Sequence, residues 1–338
     1  MNAQQAIRMR LYAPFALGAV LFAVYAGYWL WAKAQLGRAT AQFVVAQRER
    51  GVEFDYTRLQ INGFPYRLTM IFTKPSAQFD TQWQWRGERL VIHILPYNLN
   101  QLEVDLSRGE HVITEPDGNI LRLHADRIFG RAQVSRGRLV DLGLEATNLA
   151  ISGKAGSVRA DSIISFAQIN RDYPGDIRLA LAVRAGLWKP LPGFVSFLGP
   201  DVKNFQIGVE FKQGAKADIL QSLFSPKTLR LWADAGGITE LKQMIVDWAP
   251  LRLHGEGSVR IDDLRRLTGR LSLKMEDVKP LFEAMSDADW ASPDAGTALR
   301  SAAVLSVITN GKLPVDVELD GGTVKWGRVN LFAIPPIP

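Results

Sequence analysis

The apolar and polar residues divide the chain into a short apolar beginning and a long alternating remainder. Residues 11–32 carry no charged side chain, with Arg8 and Arg10 before them and Lys33 after them. At about 1.5 Å per residue, a helix of this length crosses a hydrocarbon layer of roughly 30 Å. Aromatic rings, which favour membrane interfaces, occur near both ends of the stretch at Tyr12, Tyr28, Trp29 and Trp31. The segment predicts one membrane-spanning helix.

A cleaved secretory signal is the alternative for the same segment. Ala32-Lys33-Ala34 satisfies the small-residue rule for a cleavage site, but a removable apolar region is usually about 7–15 residues long. We therefore expect an uncleaved anchor, with residues 1–10 as a short cytoplasmic tail and the remainder translocated. In a bacterium, this topology is a single pass through the inner membrane with the main domain in the periplasm.

A helical linker is predicted to follow the span. Residues 33–50 have helical spacing of Leu36, Phe43 and Val44 among alanines, and Gly51 is a typical residue to end a helix. If this helix continues the span, it raises the rest of the chain off the bilayer by a few turns.

Residues 51–338 have the period-two alternation of strands, interrupted by Gly, Pro, Asp and Asn at short turns. Strands are predicted at 52–57, 59–61, 66–72, 90–95, 102–106, 120–124, 139–144, 157–166, 177–183, 205–211, 238–248, 251–261, 269–275, 315–319 and 323–332. Helices are predicted at 218–224, 226–233, 278–285 and 293–308. The predicted fold class is a β-dominated α+β protein: a large curved antiparallel sheet, as a groove or a sandwich, with a few covering helices.

One segment breaks this rhythm. Residues 188–200 contain several prolines and glycines around Trp188, Phe194 and Phe197. The segment suggests a division of the β-rich domain into two lobes near residues 188–200, although one continuous curved sheet is favoured over two independent domains. Its concentration of aromatic residues also makes it a candidate contact segment for a protein or a membrane.

Composition limits the classes of function. Hydrophobic residues make up 47% of the chain and charged residues 22%, enough for a substantial core. There is no cysteine, which excludes disulfides, thiol nucleophiles and cysteine metal sites. The net charge is +6, and the arginines and lysines are scattered among acidic residues. Attraction to anionic lipid head groups is therefore favoured over binding of nucleic acid.

The sequence offers no recognisable catalytic constellation. The four histidines, His93, His111, His124 and His254, form no metal-binding spacing. No nucleophile elbow, phosphate loop or dinucleotide fingerprint is present, and Gly255-Glu256-Gly257 lies within a strand pattern, where glycines mark a bulge or a close approach of two backbones. We therefore expect no enzyme activity, metal or cofactor, and an envelope hydrolase is the least favoured alternative.

Several short motifs resemble a bacterial family. The longest is Ile61-Asn62-Gly63-Phe64-Pro65-Tyr66-Arg67, and shorter ones are Trp248-Ala249-Pro250-Leu251, Gly269-Arg270-Leu271 and Asp320-Gly321-Gly322-Thr323-Val324. Together they resemble domain of unknown function 2125, found mostly in alphaproteobacteria. The glycine-then-strand phrases are also similar to AsmA-like envelope proteins, which implies one N-terminal anchor and a periplasmic β-groove connected with lipid movement. Neither resemblance implies catalytic residues.

Some predicted strands are apolar on both faces, for example 90–95 and 244–246. A second apolar face must be covered by a helix, another sheet or a ligand. We therefore expect a groove that binds a lipid or another hydrophobic ligand, in envelope lipid transport or homeostasis, with Phe72, Trp83, Trp85, Ile92, Ile94, Phe166 and Trp248 as candidate groove residues. The alternative is a non-catalytic scaffold that binds an envelope protein partner through a strand edge or through residues 188–200.

Overall fold

Antiparallel strands dominate the structure, as the alternating pattern predicts. The computed structural model describes residues 3–49, 52–79, 83–136, 138–154, 156–189, 198–214, 216, 219–220, 226–262, 264–286, 296–297, 301, 304 and 313–334. Within them the β-dominated α+β class is confirmed, with one long N-terminal helix. The chain divides into two compact units, unit 1 (Met1–Gly118) and unit 2 (Asn119–Pro338).

Unit 1 combines the N-terminal helix with short antiparallel strands. Its elements are α1 (Ala3–Glu49), β1 (Val52–Asp55), β2 (Arg58–Asn62), β3 (Leu68–Thr73), β4 (Ser76–Phe79), β5 (Gln84–Gly87), β6 (Arg89–Leu95), β7 (Asn98–Asp105) and β8 (His111–Thr114). The strands β2, β3, β6 and β7 pair in that order, and β1, β4, β5 and β8 form a second run of neighbours.

Helix α1 is continuous and is long and apolar enough to cross a membrane. Its first part is exposed on every side: each side chain from residue 14 to residue 24 is accessible. Exposure of so many apolar side chains around a whole helix is typical of a segment that meets lipid.

The second part of α1 packs against the sheet of unit 1. Trp29 and Ala32 are only 5% and 4% exposed, and they share a core with Leu68, Met70 and Phe72. The helix therefore covers one apolar face of this sheet. A residue that hydropathy assigns to the span, Trp29, is a core residue of the unit.

Unit 2 is a longer antiparallel meander. Its strands are β9 (Ile120–His124), β10 (Arg127–Ser135), β11 (Arg138–Gly153), β12 (Gly156–Ile169), β13 (Ile177–Lys189), β14 (Asp201–Phe211), β15 (Ile238–Trp248), β16 (Leu251–Ile261), β17 (Leu267–Glu276), β18 (Leu313–Asp320), β19 (Thr323–Trp326) and β20 (Val329–Ala333). Its helices are α2 (Pro226–Asp234) and α3 (Val278–Ser286). From β10 to β20 each strand pairs with the next one along the chain.

The glycines of β16 behave as the sequence predicts. The pairing of β15 with β16 shifts between Leu241 and Met244, which is a bulge opposite this stretch. Gly257 has a φ of 155°, and a Cβ there would lie 2.3 Å from the carbonyl oxygen of Arg270. The glycine therefore permits a close approach of β16 and β17.

Some elements differ from the prediction. Residues 323–332 form two strands joined by a turn at Gly327, which has a φ of 59°. Strands β4, β5, β8 and β10 are not among the strands predicted above. Helices α2 and α3 are confirmed, whereas most of 218–224 and 293–308 lies outside the described residues.

Candidate ligand cavity

Unit 2 contains a largely apolar cavity of about 450 Å³ between α2 and the ends of β14 to β17. This volume is within the range of pockets that hold one small ligand. The cavity is lined by Phe211, Leu229, Arg230, Trp232, Ala233, Asp234, Gly237, Thr239, Val259, Arg260, Ile261, Arg265 and Leu267.

The lid of the cavity is α2, which presents Leu229, Trp232 and Ala233 to the interior. Their i, i+3, i+4 spacing places them on one face of the helix, whereas Leu231 is 62% exposed. The helix ends in a Schellman motif: the Gly237 amide donates to the Trp232 carbonyl (3.0 Å) and the Gly236 amide to the Ala233 carbonyl (2.9 Å). Gly236 has the positive φ, 80°, that this motif requires.

Trp232 fixes the lid to the sheet. Its indole nitrogen donates a hydrogen bond to the Lys212 carbonyl (2.7 Å), and its ring meets Phe211 edge-on at 5.2 Å between centroids. A Cβ on Gly237 would lie 2.3 Å from the Trp232 ring. Glycine at this position is therefore necessary for the indole to lie where it does.

Three arginines, Arg230, Arg260 and Arg265, line the otherwise apolar cavity and are exposed. None of the three makes an ion pair within the described part of the chain, although Asp234 lines the same cavity. Arg265 is presented by a turn that Asp262 organises.

Asp262 holds this turn through several hydrogen bonds. Its carboxylate accepts from the amides of Leu264 (2.9 Å) and Arg266 (2.8 Å) and from the Arg266 guanidinium (3.0 Å). The hydrogen bond from the Arg266 backbone amide is the main reason that the pKa of Asp262 lies below its usual range. Arg265 itself has a φ of 60° within the turn.

The cavity is suited to binding rather than to acid–base chemistry. Of its described lining, only the arginines and Asp234 carry charge, and the remaining walls are apolar apart from Thr239 and Gly237. An apolar interior with guanidinium groups at its edge is complementary to an apolar chain that ends in a carboxylate or a phosphate.

A partly buried ionic cluster lies beside the cavity wall: Glu210 is on β14 and Glu240 is on β15, while Asp176 directly precedes β13 and Lys212 directly follows β14. Lys212 contacts Asp176 (3.1 Å), Glu240 (3.2 Å) and Glu210 (3.6 Å), and the Asn170 amide donates to Glu210 (2.6 Å). Because side chains alternate along a strand, Glu210 and Lys212 point to the face opposite Phe211. The cluster therefore supports the cavity wall from behind.

The charges of this cluster are stabilised. Burial lowers the pKa of Lys212, but its hydrogen bonds to Asp176 and Glu240 outweigh burial and raise that pKa above its usual range. Burial raises the pKa of Asp176, yet bonds from Gln213 and Lys212 leave that pKa lowered. A lysine that serves as a base or nucleophile needs a lowered pKa, so this cluster has the character of a structural ion-pair network.

The histidines do not converge. His111 is buried, stacks on Trp85 and contacts the Leu106 carbonyl through Nε2 (2.6 Å). The Thr69 hydroxyl lies 3.1 Å from His93 Nδ1, and burial, helped by the Arg67 charge, lowers the pKa of His93. Among the described residues, no group of three His, Cys, Asp or Glu side chains could hold a metal ion.

The candidate groove residues of unit 1 lie mainly in or near its core. Phe72 and Ile94 are buried beneath α1, and Ile92 packs against the same core. Trp85 stacks on His111 at 5.8 Å, and Trp83 is 37% exposed just before β5.

The other two candidates lie in unit 2, and neither lines the cavity. Phe166 is 41% exposed on β12. Trp248 is buried, donates to the Gly199 carbonyl (2.5 Å) and stacks on Trp188 at 6.0 Å. In the candidate contact segment, Trp188 is the penultimate residue of β13, whereas Phe194 and Phe197 lie outside the described residues.

Sequence reasoning missed the cavity residues. The helical spacing of Leu229, Trp232 and Ala233 is the signal in the sequence that could have indicated a buried face of α2. The partners of that face come from the ends of four strands, and their convergence depends on a strand register that no local pattern specifies.

Comparison with known proteins gives a family and no relative of known activity. A search of curated proteins finds no match, and a search of solved structures finds none. A family model described as an uncharacterized protein conserved in bacteria (DUF2125) matches residues 29–335. Since this match covers most of the chain, and since the motifs around Phe64 and Gly269 lie within it, the protein belongs to the DUF2125 family.

Proposed function

We propose that this protein is a membrane-anchored periplasmic protein of the bacterial inner membrane whose unit 2 cavity binds a lipid or another hydrophobic ligand. The ligand has an apolar chain that fills the space under α2 and an anionic group that meets Arg230, Arg260 and Arg265. Binding of this kind supports envelope lipid transport or homeostasis without covalent chemistry.

The observation that carries this proposal is the combination of an apolar cavity of about 450 Å³ with three arginines that lack ion-pair partners in the described residues. Apolar area and shape supply affinity for an acyl chain, and a guanidinium binds carboxylate or phosphate oxygens with two parallel hydrogen bonds. The apolar N-terminal half of α1 supports placement at a membrane, where such ligands are found.

The test is native mass spectrometry of the full chain, purified in detergent and incubated with envelope phospholipids and fatty acids. We expect one bound amphiphile per chain. Ala233→Phe fills the cavity and should abolish this adduct. Ala235→Phe, at the first residue after α2, should retain it. Lipid held by the membrane helix would be equal in both variants, so the difference between them reports the cavity.

Two results would contradict the proposal. One is a chain without adduct under all conditions, which would favour the scaffold. The other is an adduct that Ala233→Phe retains at the level of the unchanged chain. The arginines are tested by Arg260→Gln, which should weaken binding of an anionic amphiphile, against Arg184→Gln on β13 as the control.

A further inference from the structure

One end of unit 1 presents exposed aromatic and aliphatic side chains. The loop between β2 and β3 and the turn between β6 and β7 lie at the same end, because Leu68 at the start of β3 pairs with Ile94 near the end of β6. The side chains there are Phe64 (43% exposed), Tyr66 (82%), Tyr97 (81%) and Leu99 (50%), which we call the exposed rim.

The exposed rim contacts α1 at a defined position along the helix axis. Tyr28 donates from its hydroxyl to the Pro96 carbonyl (2.7 Å), and Tyr25 donates to the Pro65 carbonyl. The Phe64 ring lies 5.8 Å from the Phe22 ring and 5.4 Å from the Trp29 ring. These contacts hold the rim beside residues 22–29 of the helix.

The fully exposed part of α1 begins at this same position along the helix. From Val24 back to residue 14, apolar side chains are accessible all round, with Phe15 at 73%, Leu17 at 61% and Val24 itself at 66%. The exposed rim is therefore continuous with the surface that a bilayer would cover.

The loop that carries the rim has a fixed shape. Gly63 has a φ of 107°, and a Cβ there would lie 2.5 Å from the Arg67 carbonyl oxygen. The Arg67 amide donates to the Gly63 carbonyl (3.0 Å), and the Trp29 indole donates to the Arg67 carbonyl (3.3 Å). A glycine at residue 63 thus allows the loop to close against the helix and to turn Tyr66 outward.

We propose that the exposed rim seats unit 1 directly on the outer surface of the bilayer, with its aromatic rings at the level of the lipid head groups. Tyrosine favours this level because its ring is apolar and its hydroxyl is polar. Arg67 directly follows Tyr66 in the sequence, and Lys33 is on α1. In this placement both side chains reach lipid phosphates. The inference rests on the membrane anchor of the proposed function.

This placement is consistent with the length of the apolar segment. If the interface lies near Tyr28, the part of the helix in lipid is 11–27, about 26 Å at 1.5 Å per residue, at the short end of observed spans. The remainder of α1 then belongs to unit 1 and rises away from the bilayer within it.

The test uses the absence of cysteine from the chain. Single cysteines are introduced as Tyr66→Cys and Tyr97→Cys, labelled with a small fluorophore, and the full chain is reconstituted in vesicles of phosphatidylethanolamine and phosphatidylglycerol. Quenching is measured with lipids that carry a nitroxide at the head group or at mid-chain. Both tyrosines are more than 80% exposed, so their replacement removes no core side chain.

Two further positions serve as controls. Leu17→Cys reports the membrane span. Phe79→Cys is an exposed aromatic position of unit 1 where β4 pairs with Val52, just beyond the C-terminal end of α1. The helix residues Phe22 and Glu49 are roughly 40 Å apart along the axis at 1.5 Å per residue, so a label at Phe79 should not meet lipid.

The outcomes separate the inference from the anchor. Head-group quenching of the labels at Tyr66 and Tyr97, with mid-chain quenching at Leu17 and none at Phe79, supports the exposed rim as a membrane contact. Quenching at Leu17 without quenching at Tyr66 and Tyr97 overturns the inference and leaves the anchor intact. Absence of quenching at Leu17 overturns the anchor, and with it the inference.

Discussion

At the scale of single residues, the cavity depends on one missing side chain. Gly237 allows Trp232 to lie against β15, since a Cβ there would overlap the indole ring. We predict that Gly237→Ala displaces Trp232, lowers the free energy of unfolding by about 2 kcal/mol through overpacking and abolishes binding of the amphiphile. Thermal unfolding and native mass spectrometry measure the two effects.

The neighbouring Gly236 provides the matched control for this prediction. Its φ of 80° also favours glycine, but no atom lies within 4 Å of the position of a Cβ. Gly236→Ala should therefore cost about 1 kcal/mol from backbone strain and leave ligand binding intact. Equal loss of binding in both variants would show that strain at the end of α2, not the position of Trp232, controls the cavity.

The ionic cluster predicts a pH dependence whose sign follows from its pKa shifts. The lowered pKa values of Asp176 and Glu240 give stability that is present above their ordinary values and is lost as the pH falls through the folded values. The raised pKa of Lys212 gives stability that is present below its ordinary value of 10.5 and is lost as the pH rises through the folded value. The contribution of the cluster is therefore constant across neutral pH.

We predict that Lys212→Met destabilises unit 2 by about 2 kcal/mol at pH 7, because buried Asp176 loses its counter-charge. Glu210 and Glu240 keep their ion pairs with Lys242. At pH 4 the loss should be smaller, since Asp176 of the variant accepts a proton more readily. Urea unfolding at the two pH values measures the difference. The surface pair of Lys325 and Asp320 is the control, and Lys325→Met should change little at either pH. A loss for Lys212→Met that is independent of pH would rule out this electrostatic account.

At the scale of elements, α1 has two neighbouring tryptophans in different surroundings. Trp29 is 5% exposed within the core of unit 1, whereas Trp31 is 53% exposed. We predict that Trp29→Ala lowers the stability of unit 1 by about 3 kcal/mol and that Trp31→Ala changes it by less than about 0.5 kcal/mol. Hydrogen exchange at β3 and β6 of the full chain in detergent measures both. Similar losses for the two variants would contradict the packing of α1 on the sheet.

The elements themselves were largely predictable, for a physical reason. A half-buried strand needs alternation, and β16 and β18 show it in residues 251–261 and 313–320. Prediction missed β10, where Gly130 and several polar residues weaken the pattern. The prediction merged β19 and β20 into one strand, because the turn at Gly327 directly follows Trp326 and no run of polar residues marks it.

The role of α1 was less predictable than its existence. Hydropathy measures the preference of a side chain for an apolar environment, and lipid and protein interior satisfy that preference equally. Trp29 and Ala32 therefore looked like residues of the span, although they pack on β3. The cavity shares this difficulty, since Arg230, Arg260 and Arg265 come from three elements whose proximity depends on long-range pairing.

At the scale of the whole molecule, the boundary between the segment apolar enough to span a membrane and the folded core lies within α1. The core clusters described for unit 2 contain residues of unit 2 only. The core of unit 1, in contrast, requires Trp29 and Ala32 of the N-terminal helix. Removing the anchor at the end of the apolar stretch would therefore remove part of a folded core.

Two truncated chains test this boundary. We predict that residues 22–338, which retain Phe22, Tyr25, Tyr28 and Trp29, keep the exchange protection of β2, β3 and β6. The chain of residues 35–338 lacks the Trp29 indole and the hydrogen bond from Tyr28 to the Pro96 carbonyl. Protection in these strands should therefore fall by about 3–5 kcal/mol, the usual cost of deleting a buried tryptophan. In both chains β12 to β16 should be unchanged. Equal protection of unit 1 in the two chains would place the boundary after residue 34 and make the preceding part of α1 separable from the domain. The predicted difference would instead make the apolar N-terminal helix and the first β-sheet one folded element.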